Sequence, residues 1–268
     1  MILNELFEAT SSDWVKYTKY ETIEHGGRKW ITPAADSRVI IYSPVQMSEN
    51  LVVDALNFGR LLCMENVPKD YSSPVNQNLM EAVTATYGLL GIKMDEPTDF
   101  FKPFKKKEKT AYSMPIIEQT GRDLKYEMVF SRDYAEPIDE MLECFKALYI
   151  HFSACQSAAD AENPAIKRVV DETISKFSVS NVGFQMRMTS KPTMVWEFGS
   201  LKTMIETIYA VAISRENPML RMCKHCGKAF YAHHGRSEFC EDKCRNQYNV
   251  YKHREMKKND KKSEGLAK

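Results

Sequence analysis

Four cysteines near the carboxy terminus constrain this 268-residue chain more than any other feature. Cys223 and Cys226 form a C-x2-C pair with Gly227 directly behind, and Cys240 and Cys244 form a C-x3-C pair after a short insert. Two such pairs place four thiolates around one tetrahedral Zn²⁺. The glycine permits the tight turn of a knuckle. Ala229-Phe230-Tyr231 and Glu238-Phe239 have the aromatic content of two short strands, with His233-His234-Gly235 between them as a hairpin tip. Cys240 and Cys244 stand at i and i+4, on one face of a helix one turn apart. Glu241 and Asp242 fall in its first turn, where acids suit the helix dipole. Knuckle, hairpin and helix together describe a treble-clef zinc finger. Four thiolates leave no open position for substrate water, so the zinc is expected to be structural. His225, His233 and His234 stay open as alternative ligands. So short a module buries little core, and structural zinc supplies folding energy of about 10–16 kcal/mol.

The charge is segregated. Net charge is +1 overall, but residues 221–268 carry 13 Lys/Arg against 6 Asp/Glu and residues 1–220 carry 24 against 30. A basic tail beside an acidic body points to a partner of its own. At 100° per residue, Tyr248 and Tyr251 stay near the cysteine face of the last helix and are expected to pack on the finger. Asn246, Asn249 and His253 lie opposite, flanked by Arg245 and Lys252, with Arg254, Lys257 and Lys258 beyond. Basic side chains suit phosphates and amides suit base edges. The candidate nucleic-acid contacts are therefore Arg245, Asn246, Asn249, Lys252, Arg254, Lys257 and Lys258. A solvated tail or a protein contact is the alternative.

Residues 1–220 read as one α+β domain with several helices and few strands. Val39–Tyr42 is an apolar run that suits a buried strand. Ser48 is placed to cap a helix carrying Leu51, Val52, Ala55, Leu56 and Leu62. Ser73-Pro74 starts a second helix that stops at Gly91. Residues 95–110 read as a lysine-rich loop, and Leu124–Phe130 alternates like a strand. Asp133 and Glu136 have capping-box spacing ahead of a helix striped with Ile138, Met141, Leu142, Phe145, Leu148, Tyr149 and Phe152. Cys63, Cys144 and Cys155 read as buried small hydrophobes. Two alternating runs, Phe184 to Met188 and Met194 to Phe198, flank Lys191-Pro192 as neighbouring strands. Ser200 caps a last helix, ended by Pro218. His25 and His151 join no catalytic set, and Gly26-Gly27 is a turn signal without the pattern of a phosphate loop. No stretch approaches the ~18 apolar residues of a membrane span, and the amino terminus lacks a signal-peptide pattern. A cytoplasmic protein with reduced thiols is expected.

The finger resembles that of bacterial CGNR zinc-finger proteins, whose amino-terminal part is the ABATE domain. The resemblance runs through Leu220-Arg221-Met222-Cys223, Cys226, Phe230, Arg236, Phe239-Cys240 and Cys244-Arg245-Asn246-Gln247. Arg245 and Gln247 stand where that family's tetrad has glycine and arginine. The resemblance implies a zinc-dependent DNA-binding transcriptional regulator with an amino-terminal regulatory α+β domain. The expected organisation is residues 1–220 as that domain, 221–256 as the finger with its basic helix, and 257–268 as a basic tail. The expected partner is double-stranded DNA. The first domain senses a small-molecule or protein ligand, dimerises, or does both. An adaptor that docks a protein through the finger, and an RNA-binding protein, are the alternatives.

Overall fold

A computed structural model describes residues 14–64, 68, 73–92, 134–158, 163–188, 190–215, 218–232, 234 and 236–266. The fold mixes helices with small antiparallel sheets and ends in a cysteine cluster. Strand β1 (Trp14–Tyr17) pairs with β4 (Val39–Tyr42), and β2 (Tyr20–His25) pairs with β3 (Arg28–Pro33). Gly26 and Gly27 close the β2–β3 hairpin at φ +61° and +74°, the two positive angles that a tight two-residue turn requires. This amino-terminal region is thus richer in strand than its sequence suggests. Val39–Tyr42 is a strand as expected, but Val39, Ile40 and Ile41 are exposed, Ile41 by 68%, and only Tyr42 packs against the core.

The core is built by three helices. Helix α1 (Ser48–Leu62) crosses α3 (Ile138–Ser157), and α5 (Leu201–Ile213) packs beside them. Leu51, Leu56, Met141, Leu142, Phe152, Leu201 and Ile208 are all buried within one cluster. Gly59 lets α1 and α3 approach closely, because a Cβ there would overlap the Phe145 carbonyl. Helix α2 (Pro74–Tyr87) packs against β1 and β2. Ser73 caps it by accepting from Asn76 N, with Pro74 in the first turn, and Ser200 caps α5 by accepting from Thr203 N. Helix α4 (Pro164–Ser175) leans on α3. Strands β6 (Val182–Met188) and β7 (Pro192–Phe198) form the expected hairpin.

Several local expectations are corrected. Ser48 is the first residue of α1 rather than its cap, because a 3₁₀ turn over Pro44–Met47 runs directly into the helix. Helix α2 ends at Gly88, at φ +87°, three residues before Gly91. Cys63 is exposed, at the end of α1, while Cys144 and Cys155 are partly buried. Glu136 does not take part in a capping box. It lies in the two-residue strand β5 (Glu136–Pro137), which pairs with β3, and α3 begins only at Ile138 with Pro137 in the cap position. The buried Glu136 carboxylate instead accepts from the backbone N–H groups of Leu90 (2.8 Å), Gly91 and Ile92 (2.9 Å) and from Tyr134 Oη (2.6 Å). The 95–110 loop, the Leu124–Phe130 strand and Asp133 lie outside the described residues.

Candidate metal centre

The chain returns to the core at β8 (Leu220–Met222), which pairs antiparallel with β9 (Ala229–Tyr231). The partner of 229–231 is thus the segment before the first cysteine pair, not Glu238-Phe239, which is not a strand. Between the strands Cys223 N donates to Lys228 O at 2.8 Å and Gly227 N to Cys223 O at 2.9 Å, with Gly227 at φ +70°. This knuckle holds Cys223 and Cys226. Cys240 stands just before helix α6 (Asp242–Leu266) and Cys244 in its first turn. Lys224 joins the two halves: its N donates to Glu238 O at 3.1 Å and its Nζ pairs with Glu238 Oε1 at 2.6 Å.

The four Sγ atoms lie within 4.8 Å of one another, with Cys226 to Cys240 at 3.7 Å and Cys240 to Cys244 at 3.6 Å. A tetrahedron with metal–sulfur bonds of about 2.3 Å has edges of about 3.8 Å, whereas a disulfide brings sulfurs to about 2.05 Å. The spacing is that of four ligands around one metal ion. The electrostatics agree. Burial opposes ionisation of Cys223, but backbone N–H groups of Cys226, Cys240 and His225 converge on it and bring its thiol down to about 6. Burial and the neighbouring sulfurs push Cys240 the other way. The Cys223 thiolate forms readily, while a cation would offset what opposes ionisation of Cys240 and Cys244.

The body of the protein holds the knuckle through residues that no local pattern announces. Asn57 of α1 makes a two-way bond to β9, with Nδ2 donating to Ala229 O at 2.9 Å and Ala229 N donating to Oδ1 at 2.8 Å. Arg60, one turn further on, donates to the Cys226 carbonyl at 2.5 Å across 166 residues of sequence. Gln156 of α3 accepts from Met222 N at 3.3 Å. Leu220 and Ala229 belong to the same buried cluster as the three core helices.

Helix α6 is 25 residues long and leaves directly from the cysteine cluster. Tyr248 packs on Phe239 with ring centroids 5.2 Å apart, and Tyr251 stacks on His225 at 5.8 Å. His225 Nε2 also lies 3.0 Å from Gln247 Oε1, so this knuckle residue braces the helix. Of the candidate contacts, Arg245, Asn246, Asn249, Lys252 and Arg254 are exposed; Arg245 is held to Asp242 at 3.2 Å. Lys257 and Lys258 lie on α6, and their side chains are outside the described residues. His234 is exposed. Among the described residues, no helix is long and apolar enough to cross a membrane. No family model, curated protein or solved structure matches the chain.

Proposed function

We propose that this protein is a DNA-binding regulator whose finger is organised by structural zinc. One observation carries the reading: a 25-residue helix rooted in a four-cysteine cluster exposes Arg245, Asn246, Asn249, Lys252 and Arg254 to solvent. Four thiolates favour zinc among available divalent ions and close its coordination shell, so Cys223, Cys226, Cys240 and Cys244 hold a scaffold and not a reaction centre. A reducing cytoplasm keeps these sulfurs available. Lys252 and Arg254, with Lys257 and Lys258 beyond, contact phosphates, while Asn246 and Asn249 reach base edges. Residues 1–220, which are net acidic, form the regulatory domain.

Titration of the full chain with labelled duplex DNA at two salt concentrations tests this. Phosphate contacts make log K fall with log[salt], by about 0.9 per contact on duplex. Lys252→Ala and Arg254→Ala are each expected to reduce that slope by about 0.9, and Asn246→Ala to flatten preference among sequences. Preference for single-stranded RNA in competition moves the same surface to an RNA partner. Absence of binding by the zinc-loaded chain at low salt overturns the proposal and redirects the search to protein partners.

A further inference from the structure

A cleft of about 780 Å³ opens between α3, α4 and α5, away from the cysteine cluster. Its size falls in the range of small-molecule sites. Ala147 and Leu148 of α3 and Phe177, just past α4, give it an apolar floor. On the α5 wall Lys202 Nζ and Glu206 Oε1 form an ion pair at 2.7 Å, with side chains 34% and 16% exposed. An ammonium carries three protons and a carboxylate about four acceptor sites, so one mutual bond leaves both with unused capacity. His151 also lines the cleft but is already committed, with Nδ1 2.6 Å from Tyr209 Oη and Nε2 3.2 Å from Ile174 O. Of the other charged groups in the lining, Asp139 and Glu140 are paired with Arg28 and Glu143 with Lys146, and Lys176 adds a second cation, so the Lys202–Glu206 pair offers a donor and an acceptor side by side beside the apolar floor.

We propose that this cleft binds a small zwitterion with an apolar body: a free apolar α-amino acid, or a short peptide of such residues. The ligand's ammonium meets Glu206, its carboxylate meets Lys202, and its side chain lies on Leu148 and Phe177. One ion pair is exchanged for two, and no charge is left buried without a counter-charge. A simple amine or a simple carboxylate satisfies only one pole of the Lys202–Glu206 pair and leaves the other displaced. The match is therefore to the zwitterion rather than to either charge alone. None of these residues belongs to the finger, so this site stands or falls separately from nucleic-acid binding.

Isothermal titration of the full chain with L-leucine, L-phenylalanine and the dipeptide Phe-Leu tests the site, with phenethylamine and 3-phenylpropionate as single-charge comparisons. A zwitterion is expected to saturate with Kd below about 1 mM, and the single-charge compounds to bind at least ~10-fold more weakly. Saturation by the amino acid but not the dipeptide identifies the free amino acid, and the reverse identifies the peptide. Ala147→Trp fills the floor from an exposed position and Glu206→Gln removes the acceptor charge. Each should weaken binding by ~10-fold or more, with metal content and far-UV circular dichroism unchanged. The proposal is overturned if none of the zwitterions saturates below about 10 mM with the unmodified chain. Phenethylamine or 3-phenylpropionate binding as tightly as phenylalanine overturns it equally, as does undiminished binding by both variants.

Discussion

At Glu136 a carboxylate with no solvent contact gathers three consecutive backbone N–H groups and one phenol. Burial pushes its carboxyl above the ordinary range, and the four donors work against that push. The side chain fastens the turn after α2 to the strand before α3. Truncation strands several buried donors, each worth about 1–3 kcal/mol when left unpaired. Glu136→Ala is therefore expected to destabilise the fold by more than about 3 kcal/mol, and Glu136→Gln by less, since one acceptor oxygen survives. Urea unfolding measures both; equal stability of wild type and Glu136→Ala would show that the turn holds without its clamp. Arg60 acts on the metal centre in a comparable way. Its bond to the Cys226 carbonyl fixes the knuckle from outside, and such supporting contacts typically govern metal affinity by 10–100-fold. Arg60→Ala should lose metal to a competing chelator at about tenfold lower chelator concentration, while Lys at this position retains part of the effect. An unchanged competition curve would remove Arg60 from the centre.

Helices α3, α4 and α5 meet at His151, whose ring touches Phe177 and Tyr209 at centroid distances of 4.5 and 5.6 Å. Burial lowers its pKa below the ordinary 6.5, and the bond to the Ile174 carbonyl opposes that shift only in part. Because the folded pKa is depressed, the unfolded chain binds more protons in the window just below 6.5. The stabilising effect of a neutral His151 is thus complete above about pH 6.5 and is lost as pH falls toward the folded value. The melting temperature should drop between pH 7.5 and 5.5 by more in wild type than in His151→Asn. Parallel pH profiles would show that the histidine does not titrate on unfolding. The same helices show which elements sequence makes legible. Ser73 and Ser200 cap as expected because a cap is a contact between residues three apart. The apolar stripe of α3 is buried as read, apart from the half-buried Tyr149, because its period needs no knowledge of the partner. Where the outcome depends on a distant segment, local reading fails. Val39–Ile41 has strand composition, yet nothing in the run says that its faces stay exposed. The knuckle and its cysteines were legible from spacing alone, whereas the strand opposite Ala229–Tyr231 had to be found by pairing, and Leu220–Met222 outcompeted the more aromatic Glu238-Phe239.

Across the whole molecule, the acidic body and the basic carboxy-terminal segment are tied together where the finger's hairpin meets α1 and α3. Leu220 and Ala229 are 1% and 2% exposed within the body's own core, and Asn57, Arg60 and Gln156 add hydrogen bonds from the body to the hairpin backbone. Metal removal should therefore be felt well beyond the four cysteines. Without an ion the four cysteines lose the coordination that joins the knuckle to the helix, the segment has little core of its own, and structural zinc is worth about 10–16 kcal/mol to such modules. When the hairpin loosens, the body loses the burial of Leu220, about 1.5–3 kcal/mol, and hydrogen bonds of about 0.5–1.5 kcal/mol each. For a chain of this size each kcal/mol moves the melting point by about 2–4 °C. Stripping the metal should thus lower the melting temperature of the body itself by at least about 6 °C and speed amide exchange over residues 48–62, the α1 segment on which the hairpin rests. Re-addition of zinc should reverse both. If the body melts at the same temperature with and without metal, and α1 exchanges unchanged, then the finger is a tethered module whose loading the body does not sense. If both shift together, the metal state and the core form one cooperative unit, and a signal that disturbs α1 or α3 has a direct mechanical route to the helix that carries Asn246 and Asn249.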